Sequence, residues 1–477
     1  MLSLLLLSIT ATAGIHSVDS IDALEDAVGQ AVAGDTIRIS SGTYVLEDTI
    51  RLSTMASADE PIRVEGDGTV RIEVDDLIGF RVSGAHWHLD RLEMVGTCAS
   101  DHDCEHAVHV VGEARGFKLT RSVLRNFNAQ IKVNGEGGVF PDDGVILGNE
   151  LYNDAARLTD RPVVAIDVVG ASGWVVEANH IHDLEKNGGN GVSYAAFFKG
   201  NGSGGRFERN LVVCEDLHSG GIRLGLSLGG GGTSPDSVCR DGDCTVEHTD
   251  GLIVNNIIAN CPADVGIYLH SAAASVVGFN TLYETTGIDA RFPETTGTIV
   301  GNVIDGAVRE RDGAAVVLDL STSTADLSSI YWSPSALDFR VLDPTEVWTS
   351  GDDAPDVDFC GNSRTERTVL GAVDADSDCD TAIAPALVAD TDLGASGSDT
   401  GEGTDPATGD EVDSGTGGSA YSSGDDTPQE PGRASDSDTD APPTHWSNSG
   451  CQVAPMSTSL FAFVAALPVL FRRRRSL

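Results

Sequence analysis

Gly144-Val-Ile-Leu-Gly-Asn149, Trp174-Val-Val-Glu-Ala-Asn179, Arg206-Phe-Glu-Arg-Asn210, Leu252-Ile-Val-Asn-Asn256, Ser275-Val-Val-Gly-Phe-Asn280 and Thr298-Ile-Val-Gly-Asn302 are one pattern written six times. Each is a short apolar or β-branched run that ends on asparagine, and successive asparagines lie 30, 31, 46, 24 and 22 residues apart. A motif recurring every roughly 20–50 residues marks a solenoid or a propeller. A four-stranded propeller blade needs about 40–45 residues, whereas most of these spacings fit one turn of a β-solenoid. The uneven lengths then read as loops inserted at one corner, the longest carrying Cys239 and Cys244. Stacked coils lie about 4.8 Å apart, so asparagines at one corner can bond up and down as an amide ladder. The fold class is therefore all-β, a solenoid of parallel coils.

Working outward, Ile21 to Val32 spaces its apolar residues as a helix that Gly34 ends, and this amphipathic segment is expected to cap the first coil. Asp35 to Ser40 then alternates as a strand, and Ser41-Gly-Thr-Tyr44 reads as a turn. Asp358, Gly361, Arg364 and Gly371-Ala372 fall in a segment expected to close the last coils. The solenoid domain is bounded at residues 18–379. Before it, Leu2 to Ile9 and Ala11-Thr12-Ala13 fit a cleavable export signal over 1–13. After it, residues 380–450 carry 15 acidic side chains and one arginine and lack apolar periodicity, the signature of a disordered acidic stalk. The segment 451–477 combines Cys451, an apolar run from Met456 to Phe471 and Arg472 to Arg475, and reads as a membrane anchor or sorting tail. These ends imply secretion and attachment at the cell surface, with the outer membrane or envelope as a partner through the tail.

The chain has 477 residues and a formal charge of −43. Such acidity excludes a general nucleic-acid binder, whose footprint is basic. Eight cysteines remain once Cys451 is set aside, and an even count in an exported chain favours disulfides. Short loops suggest Cys98–Cys104 and Cys239–Cys244, with Cys214–Cys261 and Cys360–Cys379 completing one set among the many pairings open to eight cysteines. No CxxC pair occurs, and no metal ligand set is assigned.

Alternate residues of a strand face opposite ways, so aligning the apolar members lines up the others. His109, Lys132, Asp167, Phe197 with Lys199, Arg223, Tyr268 with His270, and Asp289 with Arg291 then share one outer face on successive coils. Lys199, Arg223, His270 and Arg291 would form a cationic strip able to pair with carboxylated or sulfated sugars, and Phe197 and Tyr268 would offer ring faces. The plainer account of the same row is solvent-facing ion pairs. In the longest insertion, Glu247 and His248 form an acid/base pair or, with Asp243, ligands; adjacent strand residues point apart, which counts against the pair.

Leu24 through Tyr44, with Ala33-Gly-Asp-Thr-Ile and Ser41-Gly-Thr-Tyr, resembles the start of right-handed parallel β-helix proteins of the pectin-lyase-like group, and within it the chain is distantly similar to chondroitinase B and the alginate lyases. The stretches 190–232, 250–260 and 264–292 also resemble uncharacterised β-helix proteins of myxobacteria-like organisms, whose surface proteins carry similar C-terminal sorting tails. That resemblance implies a fold and a location but no reaction. The lyase resemblance implies β-elimination, in which a base removes the uronate C5 proton, an acid protonates the leaving oxygen and a sink neutralises the carboxylate. Phe198-Lys-Gly-Asn-Gly-Ser-Gly-Gly-Arg-Phe-Glu-Arg-Asn210 resembles the family's lysine strand and implies Lys199 as base, and Arg223 one coil later as acid. The family's calcium lacks its usual acidic ligands here, since Gly191 to Phe198 contains no Asp or Glu; His248, His270 or Arg291 would serve as sink instead. The expected function is an exported, surface-attached β-helix that binds, and on the lyase reading cleaves, extracellular acidic polysaccharide. The alternative is a non-enzymatic adhesion protein whose solenoid is a rigid presenter.

Overall fold

A computed structural model describes residues 13–381, apart from 231–232, 234–237, 320–321, 324–325, 346, 352–353, 378 and 380. The export run, the acidic stalk and the C-terminal segment lie outside the described residues, except for Ala13 and Thr381. Among the described residues no helix is long and apolar enough to cross a membrane.

The coils are built from three recurring strands, to which Gly202–Ser203, His248–Thr249 and Ala272–Ala273 add a short fourth in three of them. Val163–Val169, Val175–Glu177 and His180–His182 form one coil; Val192–Lys199, Arg206–Glu208 and Leu211–Val213 form the next. Every strand pairs in parallel with its counterpart one coil away, as Ile166 with Ala196, Val175 with Arg206 and His180 with Leu211. The first strands of the coils stack into a ten-stranded sheet running from Ile50–Leu52 to Ala307–Arg311. The second and third belong to one larger sheet, because the long strands Thr36–Leu46 and Ile62–Val74 bend around the corner between them. Parallel strands joined by crossovers within a sheet wind right-handed, and the chain is a right-handed parallel β-helix.

The repeated asparagines occupy that corner, buried to 2% exposure or less. The side-chain amide of Asn149 donates to Oδ1 of Asn179 at 2.9 Å, Asn179 to Asn210 at 3.0 Å, Asn210 to Asn256 at 2.9 Å, Asn256 to Asn280 at 3.0 Å and Asn280 to Asn302 at 2.9 Å. Each Oδ1 also accepts the backbone N–H of the previous asparagine, as Asn210 does from Asn179 at 3.0 Å. The second amide hydrogen reaches back to a backbone carbonyl, from Asn210 to Val176 at 2.9 Å. The residue before each asparagine must be left-handed to turn the corner. Glycine supplies this at Gly148 and Gly301, but Ala178 (φ 52), Arg209 (φ 56), Asn255 (φ 55) and Phe279 (φ 53) adopt it with a side chain present, at a cost of about 1–2 kcal/mol each. The amide ladder offsets that strain.

Inside the coils, Trp87, Phe117, Trp174, Phe198 and Phe207 are fully buried, and Phe198 stacks on Phe207 at 4.3 Å. The helix Ile21–Gln30 is capped by Ser20, whose hydroxyl accepts from Ala23 N–H at 3.2 Å, and it buries Leu24 and Val28. The turn expected at residues 41–44 is instead a register shift between Ser40 and Gly42 inside one continuous strand. The four disulfides Cys98–Cys104, Cys214–Cys261, Cys239–Cys244 and Cys360–Cys379 are those the sequence suggested.

The segment after residue 326 differs from the expectation. It does not simply close the last coils but packs along the outside of the third strands. Leu211, Val213, Ile257, Ala259 and Val303 face outward and join Leu327, Tyr331, Phe339, Val347, Phe359 and Val369 in a second apolar cluster. The reason is visible in the strands themselves: Leu211-Val212-Val213 and Ile257-Ile258-Ala259 are apolar on both faces, so the outer face needs its own cover.

Asn210→Leu keeps the volume of the corner but strands two N–H donors of Asn179 and the carbonyl of Val176. Unpaired buried groups cost about 1–3 kcal/mol each, so a loss of about 4 kcal/mol is expected in urea unfolding followed by far-ultraviolet circular dichroism. A loss below about 1 kcal/mol would show that the ladder is dispensable.

Candidate functional site

The ten-stranded sheet carries the row of side chains singled out in the sequence. Parallel register places Arg81, His109, Lys132, Asp167, Phe197, Ser227, Tyr268, Asp289 and Arg309 directly above one another. Two residues further along the strands lies a second row, in which Lys199 is opposite Val169 and His270 is opposite Arg291.

Much of the first row is internally paired. Lys132 Nζ lies 2.8 Å from Oδ2 of the buried Asp167. Asp289 accepts two hydrogen bonds from Arg311, and Arg291 pairs with Asp312. His109 Nε2 is 2.8 Å from Asn134 Oδ1, and burial holds its pKa below the ordinary value. Tyr268 is buried, which pushes its hydroxyl up, and its ring meets His270 edge-on at 5.5 Å. His270 packs against Phe292 as well, and burial pushes its pKa down.

Between Lys132 and Lys199 the row opens into a groove of about 520 Å³. Its lining includes Lys132, Asp167, Lys186, Tyr194, Phe197 and Lys199. Phe197 points away from the core yet is only 4% exposed, because Val238 from the long insertion packs over it with Val164 and Val169. The Lys199 ammonium sits 4.6 Å from the centre of the Phe197 ring. Burial lowers its pKa from the ordinary lysine value, against the opposing pull of the Asp167 carboxylate. Oδ1 of Asp167 is buried with no hydrogen-bond partner. Tyr194 packs edge-on against Phe197 at 5.5 Å, and burial pushes its pKa up, so it stays protonated. The groove therefore holds an aromatic face, a carboxylate paired with Lys132, cations and a hydroxyl donor.

Three sequence assignments are corrected by this geometry. Arg223 is not a vertical neighbour of Lys199: it lies opposite Ser193, six residues earlier in that strand, and Ser227 takes its expected place in the row. The strand Ile222–Leu228 offers two polar positions flanked by apolar residues, and the inward pair is Leu226 and Leu228 rather than Ile222 and Leu224. Arg223 is buried at a corner, donating to the Gly220 carbonyl at 2.7 Å and to Glu185 at 2.9 Å. His248 points inward, stacked beside Phe198 at 5.7 Å, and burial alone depresses its pKa to about 3. Glu247 turns the other way and accepts from the Gly200 N–H and the Thr233 hydroxyl, both at 3.0 Å. The two adjacent residues form no acid/base pair. Lys186 and Tyr194, which do line the groove, went unnoticed in the sequence, although Tyr194 shares a strand with Lys199.

No family model and no curated protein matches the chain. Among solved structures, pectate lyase Pel9A is similar at 13% identity with a TM-score of 0.55, the match covering 77% of this chain and 97% of that one. A rhamnogalacturonan lyase matches at 11% identity and a TM-score of 0.49, over 76% of this chain and 96% of its own. An alginate lyase from Paenibacillus matches at 14% identity and a TM-score of 0.38, over 64% and 98%. At such identities the pectate lyase match establishes the shared parallel β-helix and nothing about the reaction, and the two weaker matches add no argument.

Lys132→Met should leave the Asp167 carboxylate buried without its cation and cost about 3 kcal/mol at neutral pH, whereas Lys132→Met with Asp167→Asn should cost about 1 kcal/mol or less. Urea midpoints of the two singles and the double variant read this coupling directly; additive losses would mean the pair is not a structural unit.

Proposed function

We propose that the groove between Lys132 and Lys199 binds an extracellular acidic polysaccharide and that Lys199 acts as the base in its cleavage by β-elimination. The observation that carries this reading is Lys199 itself. It is held over the Phe197 ring with its pKa lowered by burial, in a groove that also contains Lys132 and Lys186. On a chain with a formal charge of −43, three lysines lining one groove are suited to a polymer of carboxylated sugars. The pectate lyase that shares the fold supports an acidic polysaccharide as the substrate class.

In the proposed step the neutral Lys199 amine takes the C5 proton. The electron pair left behind forms the C4–C5 double bond as the bond from C4 to the leaving oxygen breaks. That oxygen takes a proton from water, while Lys132 and Lys186, which line the groove, neutralise the uronate carboxylate. Export and surface attachment complete the reading, supported by four disulfides, which persist in oxidising compartments, and by the sequence of the two ends. The competing reading, a non-enzymatic presenter, is favoured by the ion pairs Lys132–Asp167, Asp289–Arg311 and Arg291–Asp312, which already satisfy much of the row.

The full chain should release an unsaturated product that absorbs in the ultraviolet from at least one uronate polymer. Lys199→Met should lower that rate by about two to four orders of magnitude while polymer binding persists. Because the amine must be neutral and its pKa is lowered, kcat/KM should rise with pH and level off below the ordinary lysine value. Polymer binding without product from any polymer would favour the presenter.

A further inference from the structure

We propose that Glu150, His180 and His182 form a binding site for a divalent zinc-class ion on the outer face of the third strands. The repeat places them together. Glu150 follows Asn149 and His180 follows Asn179, so the two occupy the same position in neighbouring coils and pair directly. Ile181 enters the core, which turns His180 and His182 to the same outer side. One ligand atom from each of the three residues lies within 4.8 Å of the other two.

His182 lies between two carboxylates, Asp183 at Nδ1 and Glu150 at Nε2, and a bound ion would take the place of the Nε2 proton. His182 is 4% exposed, and its Nδ1 lies 2.7 Å from Oδ2 of Asp183. Asp183 is fully buried and anchored by the backbone N–H groups of Asp216, Leu217 and His218 at 2.9–3.1 Å. A carboxylate on one ring nitrogen orients the other as a donor of its lone pair, the arrangement that supports metal-bound histidine. That other nitrogen, His182 Nε2, has no hydrogen-bond partner and lies 3.5 Å from Glu150 Oε1. His180 Nε2 is likewise buried without a partner.

Two imidazoles and one carboxylate suit zinc, which binds such groups at about 2.0–2.2 Å, and do not suit calcium, which needs six to eight oxygens. Tetrahedral coordination at that range separates neighbouring donors by about 3.4 Å, close to the spacing already held by His182 and Glu150. Glu150 is partly exposed, which leaves a fourth position to water. The strand His180–His182 belongs to the larger sheet and not to the sheet that carries the groove, so this site stands or falls independently of the polysaccharide reading.

The test is calorimetric titration of the full chain, stripped with EDTA, using zinc sulfate alone, with cobalt(II) absorption as a second reading of coordination. One equivalent should bind, and His180→Ala and Glu150→Gln should each weaken it at least roughly tenfold. Both positions face outward, so the variants should keep the wild-type circular dichroism. No zinc binding by the wild type, or a loss smaller than tenfold in either variant, overturns the site.

Discussion

A buried amide that can satisfy two neighbours at once holds this protein in register. Each interior ladder asparagine, such as Asn210, accepts two N–H groups from the preceding coil and donates to the next as well as back to the preceding one, so it is not saturated unless both neighbours are in place. The cost of a buried, unpaired polar group then falls on any slip of a coil. The ladder does what hydrophobic burial alone cannot. The strands beside it are only three residues long, and in one such as Leu211–Val213, aliphatic throughout, a one-residue shift would exchange one apolar face for another. Fixing the corner fixes which residue of each strand faces outward, and therefore every row on the surface.

The groove shows how that register is used. Lys132, Asp167 and Phe197 belong to three successive coils and are separated by 35 and 30 residues in sequence, yet they form one contiguous surface. Charge along the row is not free to act outward everywhere. Toward the last coils Asp289 and Arg291 are committed to Arg311 and Asp312. Where the long insertion lays Val238 over Phe197 the row becomes a recess, and it is there that a lysine loses part of its hydration. What sets Lys199 apart is its place over the Phe197 ring that the insertion covers.

The fold was legible because its signal is repeated: six asparagine corners, even cysteines and alternating strands all describe one architecture. The outer row was legible where a strand has a single polar residue between apolar ones, as at Lys132 and Asp167. It failed at Arg223, where Ile222-Arg-Leu-Gly-Leu-Ser-Leu228 presents two such places and only tertiary packing chooses Ser227. His248 failed for a related reason: a histidine among charged residues reads as a surface group, but its ring was needed to fill space beside Phe198. The outer cover of the third strands was hidden because an apolar residue such as Leu211 gives no sign of which layer it joins. Glu150 and His180 carried a usable signal, since both directly follow ladder asparagines.

The described chain ends at a well-anchored point. Thr381 is fully buried, accepting from the Phe339 N–H at 3.1 Å and donating to the Leu337 carbonyl, just beyond the crosslink between Cys360 and Cys379. Tension applied through the residues that follow would enter the body there, at a bracket riveted across the flank of the coils, before it reached any coil edge. A pull at Thr381 would act first on its two hydrogen bonds and on the adjoining crosslink, before any ladder of strand hydrogen bonds.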